Sequence, residues 1–267
     1  MVAGAAIDRA GRTARRLAGG VAGLVWPDVC GACGEASDGP GGLCAACSVE
    51  LLGLVALPFC PRCGSTRGPG VPVRQDGCDA CPTTLPRFAR VVRLGPYAGP
   101  LRELVREMKY RRRFGVRGRL ARLLAEATRG RLDPQPEAVV AVPMHWQRRL
   151  ARGCDHARIL AAAVARDLDL PLADELVRTR NTPPQTHLSR SRRIANVRGA
   201  FRVTRPAGIE GARVLLVDDV TTTGATASEA ARTLYSAGAA NVTLAVVAKA
   251  EKAVAYRRHL PTFTGES

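Results

Sequence analysis

Four Cys-x-x-Cys pairs lie in the first third of the chain, and they restrict its possible folds more than any other feature. They use eight of the nine cysteines and are Cys30/Cys33, Cys44/Cys47, Cys60/Cys63 and Cys78/Cys81. Two such pairs can surround one Zn2+ ion, because two intervening residues let both sulfurs of a pair face the same metal. With sulfur at all four positions, each ion is structural rather than catalytic.

The order of the pairs favours two consecutive zinc ribbons. One ion is then held by Cys30, Cys33, Cys44 and Cys47, and a second by Cys60, Cys63, Cys78 and Cys81. The stretches between the two pairs of each set, residues 34–43 and 64–77, are each long enough for a small hairpin. Interleaved pairing, another soft metal or cluster, and a disulfide framework are the alternatives.

The segment that precedes the cysteines, residues 1–29, does not form a convincing export signal. Arginines precede an apolar stretch from Leu17 to Trp26, but glycines interrupt it and no small-residue cleavage site follows before Cys30. The sequence also has no apolar run of about 20 residues, which a membrane-spanning helix requires. We therefore expect a short amphipathic N-terminal helix, no membrane span, and a cytoplasmic protein with reduced thiols.

The character of the sequence changes near residue 87. Residues 30–86 are rich in Gly, Pro and Cys, which suits a small double zinc-ribbon module. Residues 87–258 alternate apolar strands with longer helical stretches, the pattern of an α/β domain with a parallel sheet and helices on both faces. Residues 259–267 are predicted to be a frayed tail.

Hydrophobic patterning within 87–258 predicts individual elements. Strands are expected at 88–94, 138–142, 213–217 and 242–248, and helices at 100–110, 115–129, 155–168 and 225–237. Residues 178–205 contain eight arginines and no acidic residue, and we expect them to be irregular.

The most specific chemical signal follows the strand at 213–217. Asp218 and Asp219 come directly after this apolar run, and a hydroxyl-rich turn then opens the next helix; its residues are Thr221, Thr222, Thr223, Gly224, Ala225 and Thr226. Backbone N–H groups and the helix dipole converge where a strand passes into a helix, so a phosphate is favoured there. The two acids are placed to accept hydrogen bonds from sugar hydroxyls beside that phosphate. An ordinary strand with a polar turn is the alternative, but two adjacent unpaired carboxylates are costly without a ligand.

The net charge of +17 does not identify a partner by itself. Only three of the 40 basic residues are lysines, so the arginine excess reflects either genomic composition or a selected anionic ligand. The basic run at Lys109 and Arg111–Arg113 likewise fits either a solvated helical face or contact with phosphates.

The stretch from Val214 to Thr226 resembles the phosphoribosyl pyrophosphate signature of type I phosphoribosyltransferases. The whole chain is similar to the ComF family of bacteria, in which paired zinc ribbons precede a domain of this kind. The similarity also includes Trp26-Pro27, Met108-Lys109-Tyr110, Val142-Pro143-Met144-His145, Arg152-Gly153, Gln185 through Arg193, Asn196 and Phe201.

This resemblance implies a role for each part of the site. Asp218 and Asp219 would hold the ribose hydroxyls, and Thr221 to Thr226 would hold the 5′-phosphate. The loop from Pro143 to Arg149, with Met144 and His145, would face the pyrophosphate together with Mg2+, Lys109 and Arg152. Residues 178–200 would form a mobile cover, and the protein would act in DNA uptake during natural transformation.

One departure from the family leaves the activity open. Purine-type transferases commonly have an Asp four residues after the first acid of the motif, as the base for the incoming ring nitrogen. Thr222 occupies that position here and cannot take the proton. The sequence is therefore compatible with a phosphoribosyltransferase of unknown acceptor, with a non-catalytic phosphoribosyl pyrophosphate sensor or adaptor, and with a zinc-ribbon factor that binds single-stranded DNA.

Overall fold

The predicted α/β fold is confirmed by a computed structural model, which describes residues 29–37, 42–68, 77–82, 86–110, 114–182 and 190–251. Its strands are β1 (Arg90–Pro96), β2 (Ala138–Ala141), β3 (Leu172–Ala173), β4 (Leu176–Arg178), β5 (Phe201–Val203), β6 (Arg213–Thr221) and β7 (Asn241–Lys249). Five of them form a parallel sheet in the order β1-β7-β6-β2-β3, whereas β4 and β5 form a separate antiparallel pair.

Helices cover both faces of the sheet. They are α1 (Ala45–Ala56), α2 (Gly99–Tyr110), α3 (Phe114–Arg129), α4 (Trp146–Arg152), α5 (His156–Leu168), α6 (Arg190–Val197) and α7 (Ala225–Ser236). In the ranges that the structure describes, none of them combines the length and the hydrophobicity needed to cross a bilayer.

The central strand β6 separates two hydrophobic cores because its side chains alternate between the two faces of the sheet. Leu215 and Val217 belong to the core that α2, α3 and α5 complete. Val214 and Leu216 belong to the core that α7 covers. The apolar part of β6 is therefore enclosed on both sides, and its polar end emerges at one edge of the domain.

The cysteine-rich segment packs directly against this domain. Helix α1 places Leu51 and Leu54 in the same core as the residues of α2 and β1. Its N-cap is Cys44, whose Sγ accepts a hydrogen bond from the N–H of Cys47 at 3.5 Å. The second pair of the first ribbon thus opens a helix, which was not predicted, while isolated bridges close short turns around Cys30 and Cys60.

Three other expectations from the sequence differ from the structure. Strand β6 continues to Thr221 instead of ending at 217, because β7 pairs with it as far as Thr221 and Lys249. The predicted loop from Pro143 to Arg149 includes the start of α4, which His145 caps and Gly153 ends in a left-handed conformation. The segment 178–205 contains α6, since arginine is a good helix former, and β5, which pairs with β4.

Several predictions lie outside the described residues. These are the N-terminal helix around Leu17 to Trp26, the basic run 111–113, residues 183–189 of the expected cover, and the tail at 259–267.

Candidate functional site

The eight paired cysteines form two separate clusters, each with four Sγ atoms within 4.8 Å of one another. The clusters consist of Cys30, Cys33, Cys44 and Cys47, and of Cys60, Cys63, Cys78 and Cys81, so the pairing is consecutive as predicted. Neighbouring sulfurs are 3.7 Å apart between Cys60 and Cys81 and 3.8 Å apart between Cys33 and Cys44. A tetrahedral zinc ion with Zn–S bonds of about 2.3 Å requires about 3.8 Å. The spacing fits zinc and excludes disulfides, which bring sulfurs to about 2 Å.

The electrostatics of the second cluster also call for a cation. Burial and the charge of Cys63 raise the pKa of Cys78, and burial raises the pKa of Cys81 to about 12. Four thiolates therefore cannot ionise side by side without compensation. Zinc supplies that positive charge when bound and keeps all four sulfurs deprotonated.

A cavity of about 440 Å³ opens at the carboxyl end of β6. Strand β2 pairs with β6 only as far as Ala141 and Val217, and the chain then turns away at Pro143. Beyond Val217, β6 continues with pairing to β7 alone, so its β2 side is open. Ligands of open parallel sheets bind at this kind of position, outside the carboxyl ends of the strands.

The turn from Thr221 to Thr226 forms one wall of this cavity. Gly224 is the N-cap of α7 with a φ of +77° and has no side chain to cap the helix, whereas Thr223 Oγ1 accepts the N–H of Ala225 at 3.4 Å. A Cβ atom at Gly224 would be strained at that φ and would lie 3.4 Å from the ring of Phe88. Among the described residues, the N–H groups of Thr222, Thr223 and Gly224 have no hydrogen-bond acceptor. The turn therefore presents free donors at the positive end of a twelve-residue helix.

Asp218, Asp219 and Lys109 line the same cavity. Lys109 Nζ donates a hydrogen bond to Asp219 Oδ1 at 2.9 Å, and both side chains are largely buried. Burial opposes the charge of Lys109, but the neighbouring carboxylates outweigh it and raise the pKa of this lysine. Asp219 is therefore not an unpaired carboxylate, in contrast to the expectation from the sequence.

Asp218 is the second carboxyl group and has a different environment. Its Oδ1 accepts the N–H of Asp219 at 2.8 Å. Burial and the charge of Asp219 raise the pKa of Asp218 to about 8. This carboxyl group therefore holds a proton at neutral pH until a nearby cation stabilises its ionised form.

The structure brings most of the other predicted site residues to this cavity and leaves several outside it. Its lining includes Lys109, Met144, Asp218, Asp219, Thr221, Thr222, Gly224, Ala225 and Thr226. Thr223 faces a neighbouring cavity on the far side of the turn. His145 is buried and its Nδ1 accepts the N–H of Gln147, while Arg149 lines another cavity beyond Met144. Arg152 ends α4, and its side chain lies outside the described residues.

Three charged residues that line the cavity were not predicted as site residues. Arg193 of α6 donates to Thr222 Oγ1 at 2.9 Å, and Arg178 lies at the end of β4. Asp155 caps α5 by accepting the N–H of Arg158, and its other oxygen accepts the N–H of Met144 at 3.3 Å. The density of arginines in 178–205 was a signal for the first two, but it could not say which arginines face inward.

The sheet, the cavity and the two thiol clusters define a class: a phosphoribosyltransferase-type domain joined to a double zinc ribbon. Two family models match accordingly, the phosphoribosyl transferase domain over residues 155–264 and the double zinc ribbon domain over residues 21–82.

Whole-chain relatives identify the family more closely. The chain is 35% identical to the DNA utilization protein YhgH of Salmonella typhi over 207 residues, which is 75% of this chain and 87% of that protein. It is 31% identical to competence protein F of Haemophilus influenzae over 215 residues, or 78% of this chain and 91% of that protein. The chain belongs to the ComF family.

Among solved structures, a glutamine phosphoribosylpyrophosphate amidotransferase from B. subtilis matches with a TM-score of 0.36 and 22% identity. The match covers 52% of this chain and 30% of that chain. The fold assignment rests on the sheet topology and on the family models.

Proposed function

We propose that this protein binds phosphoribosyl pyrophosphate together with Mg2+ in the cavity at the end of β6. One observation carries the proposal: two carboxyl groups and the turn that holds free N–H groups at the start of α7 line the same cavity of about 440 Å³. A sugar phosphate needs both features, because its phosphate seeks N–H donors and its hydroxyls seek acceptors. Ligand cavities of about 300–1,000 Å³ hold molecules of this size.

A different group of cavity residues would contact each part of the ligand. The free N–H groups of Thr222 to Gly224 would receive the 5′-phosphate at the start of α7. Asp218 and Asp219 would accept hydrogen bonds from the ribose hydroxyls. The pyrophosphate would lie toward Met144, with Lys109 and Arg193 as the cations nearest to it.

The same residues fit a Mg2+ ion. Magnesium prefers hard oxygen ligands and is usually held by one or two carboxylates together with substrate phosphates. The ammonium group of Lys109 already lies 2.9 Å from Asp219, which indicates that this edge of the cavity attracts a cation. When bound, Mg2+ would neutralise charge on the pyrophosphate, and Asp218 and Asp219 would hold it.

Binding without transfer is favoured over catalysis by one contact. The Thr222 hydroxyl, which lies where purine-type transferases have their base, accepts a hydrogen bond from Arg193. Neither group can take a proton from an acceptor nitrogen. We therefore place a phosphoribosyl pyrophosphate sensor or adaptor first and a phosphoribosyltransferase of unknown acceptor second. Release of pyrophosphate with a supplied acceptor would reverse this order.

The names of the relatives support a role in DNA uptake or use. A DNA utilization protein and a competence protein are similar to this chain over most of its length. We propose that ligand binding serves DNA uptake or use. A single-stranded DNA-binding activity of the zinc ribbons would instead show steep salt dependence that is independent of phosphoribosyl pyrophosphate.

Calorimetry with phosphoribosyl pyrophosphate, with and without Mg2+, tests the site. We expect the double variant Asp218→Asn, Asp219→Asn to lose at least about 100-fold in affinity, since two charge-assisted contacts of about 1.5–3 kcal/mol each are removed. Asp174→Asn is the matched control, because Asp174 forms an ion pair with Arg158 at the surface. Equal affinity of the double variant and the wild type would remove the assignment. Titrations with ribose 5-phosphate and with pyrophosphate as separate ligands test the two parts of the site, the first for the ribose and 5′-phosphate and the second for the pyrophosphate.

A further inference from the structure

A three-residue segment connects the second zinc ribbon with the turn from Thr221 to Thr226, which we call the phosphate turn. At one end, Lys249 Nζ donates to the carbonyl oxygen of Thr222, and the N–H of Ala250 donates to Thr221 O at 2.8 Å. At the other end, the Glu251 carboxylate accepts two hydrogen bonds from Thr66, from N–H at 2.5 Å and from Oγ1 at 2.7 Å. Residues 249–251 therefore contact both parts of the protein at once.

Thr66 belongs to the knuckle that carries Cys60 and Cys63. Its bridge with Phe59 closes this turn, and the N–H of Gly64 donates to Cys60 O at 2.8 Å. Gly64 has a φ of +76°, and a Cβ atom there would lie 3.2 Å from Val91 of β1 and 3.8 Å from Lys249. The knuckle is thus packed against the strands that support the turn.

Arg93 of β1 contacts both Thr66 and Glu251, and we call these three residues the junction. It is fully buried, and its Nη2 donates to Thr66 Oγ1 at 2.7 Å. Its Nη1 lies 3.9 Å from Glu251, and its guanidinium lies 5.0 Å above the ring of Phe59. A fully buried guanidinium is costly unless negative charge is close to it. A zinc ion with four thiolates carries a net charge of −2, so the second cluster and Glu251 together compensate Arg93.

We propose that the second zinc cluster positions the phosphate turn through the junction of Thr66, Arg93 and Glu251. When bound, zinc fixes the knuckle, and the knuckle holds Glu251. The N–H of Ala250 then holds Thr221, and the Lys249 side chain holds Thr222. Zinc occupancy of this cluster and phosphate binding at the turn are then coupled, and each strengthens the other by the same factor. The coupling rests on the proposed function, whereas the positioning of the turn does not.

The junction can be tested by replacing Glu251, and a similar glutamate elsewhere in the protein provides a matched control. Glu251→Gln weakens the contacts with Thr66 and Arg93. Glu137→Gln is the control, because Glu137 also accepts a backbone N–H and pairs with an arginine, in this case Arg213. Arg213 begins β6 and Thr221 ends it, so the control lies at the opposite end of the same strand.

Hydrogen exchange on the zinc-loaded, ligand-free protein tests the positioning. Peptides that cover residues 219–228 should exchange about tenfold faster in Glu251→Gln than in the wild type. In Glu137→Gln their exchange rates should equal those of the wild type. Thr66→Val, which removes only the hydroxyl, provides a second variant if the first does not fold. Equal rates in wild type and junction variants, or acceleration in both Glu251→Gln and Glu137→Gln, would overturn the proposal.

Zinc affinity tests the coupling separately. Competition with a chelating dye should show that Mg2+ and phosphoribosyl pyrophosphate tighten binding of one of the two zinc ions about tenfold in the wild type. Glu251→Gln should abolish this change, and Glu137→Gln should retain it. If the wild type binds phosphoribosyl pyrophosphate without any change in zinc affinity, the coupling is wrong. If it does not bind the ligand at all, the proposed function fails, and the exchange experiment still decides the positioning.

Discussion

Replacing Asp218 by asparagine should make the ligand-free protein more stable at neutral pH. Burial and the neighbouring charge of Asp219 raise the pKa of Asp218 from 3.8 to about 8. In the unfolded chain this carboxyl group loses its proton near pH 4, whereas the folded protein retains it up to about pH 8. The unfolded state is therefore favoured increasingly as the pH rises through this window. Asparagine is neutral and can still accept the N–H of Asp219.

The size of the effect follows from the same pKa. A proton kept by the folded state and lost by the unfolded state is worth about 1.4 kcal/mol for each pH unit. Three pH units give an upper limit of about 4 kcal/mol at pH 7. Asp218 is only partly shielded from water in the cavity, so we expect about 2 kcal/mol. For a chain of this size, that raises Tm by about 4–8 °C.

Scanning calorimetry without Mg2+ or phosphate, repeated at several values between about pH 6 and pH 8.5, measures this difference. The advantage of Asp218→Asn should grow as the pH rises and level off above about pH 8. Asp174→Asn, which removes a surface carboxylate, should show no such gain. A Tm for Asp218→Asn equal to or below that of the wild type at pH 7 would refute the assigned pKa. So would a difference that does not change with pH.

Three further predictions concern the cluster, the cation and the turn. Cys60→Ser should lower the zinc content from two ions toward one, as measured by metal analysis, and should destabilise the N-terminal module; an unchanged content would exclude Cys60 as a ligand. Lys109→Met should lower stability at pH 7 by about 1–2 kcal/mol in chemical unfolding, because the carboxylate of Asp219 then lacks its cation. Gly224→Ala should cost about 1 kcal/mol, owing to the positive φ, and should weaken phosphoribosyl pyrophosphate binding in calorimetry; a gain in stability would contradict the strained turn.

Local sequence patterns predicted the parts of the protein that depend on neighbours in the chain. The spacing of Cys30, Cys33, Cys44 and Cys47 places four sulfurs around one point because each pair is a local turn. The apolar run before Asp218 predicted a buried strand, and the turn that follows predicted the start of α7. These features need only backbone geometry and burial to be inferred.

Contacts between distant segments were not predictable in the same way. Lys109 and Asp219 are 110 positions apart, and Thr66 and Glu251 are 185 positions apart. Neither pair leaves a pattern in the sequence, since the first joins α2 to β6 and the second joins the second ribbon to the residues that follow β7. The length of β6 was underestimated for the same reason, because its last residues are strand only through pairing with β7.

The two acids stand on a rigid support, because β6 remains hydrogen-bonded to β7 to its final residue. A sugar ligand of the proposed kind would therefore adapt to fixed carboxyl groups, and little entropy would be lost in ordering those groups. Evolution within such a design would act mainly on the surrounding arginine-bearing segments. Under the proposed function, related proteins would gain or lose an acceptor through those segments, while the carboxyl-bearing end of β6 stays unchanged.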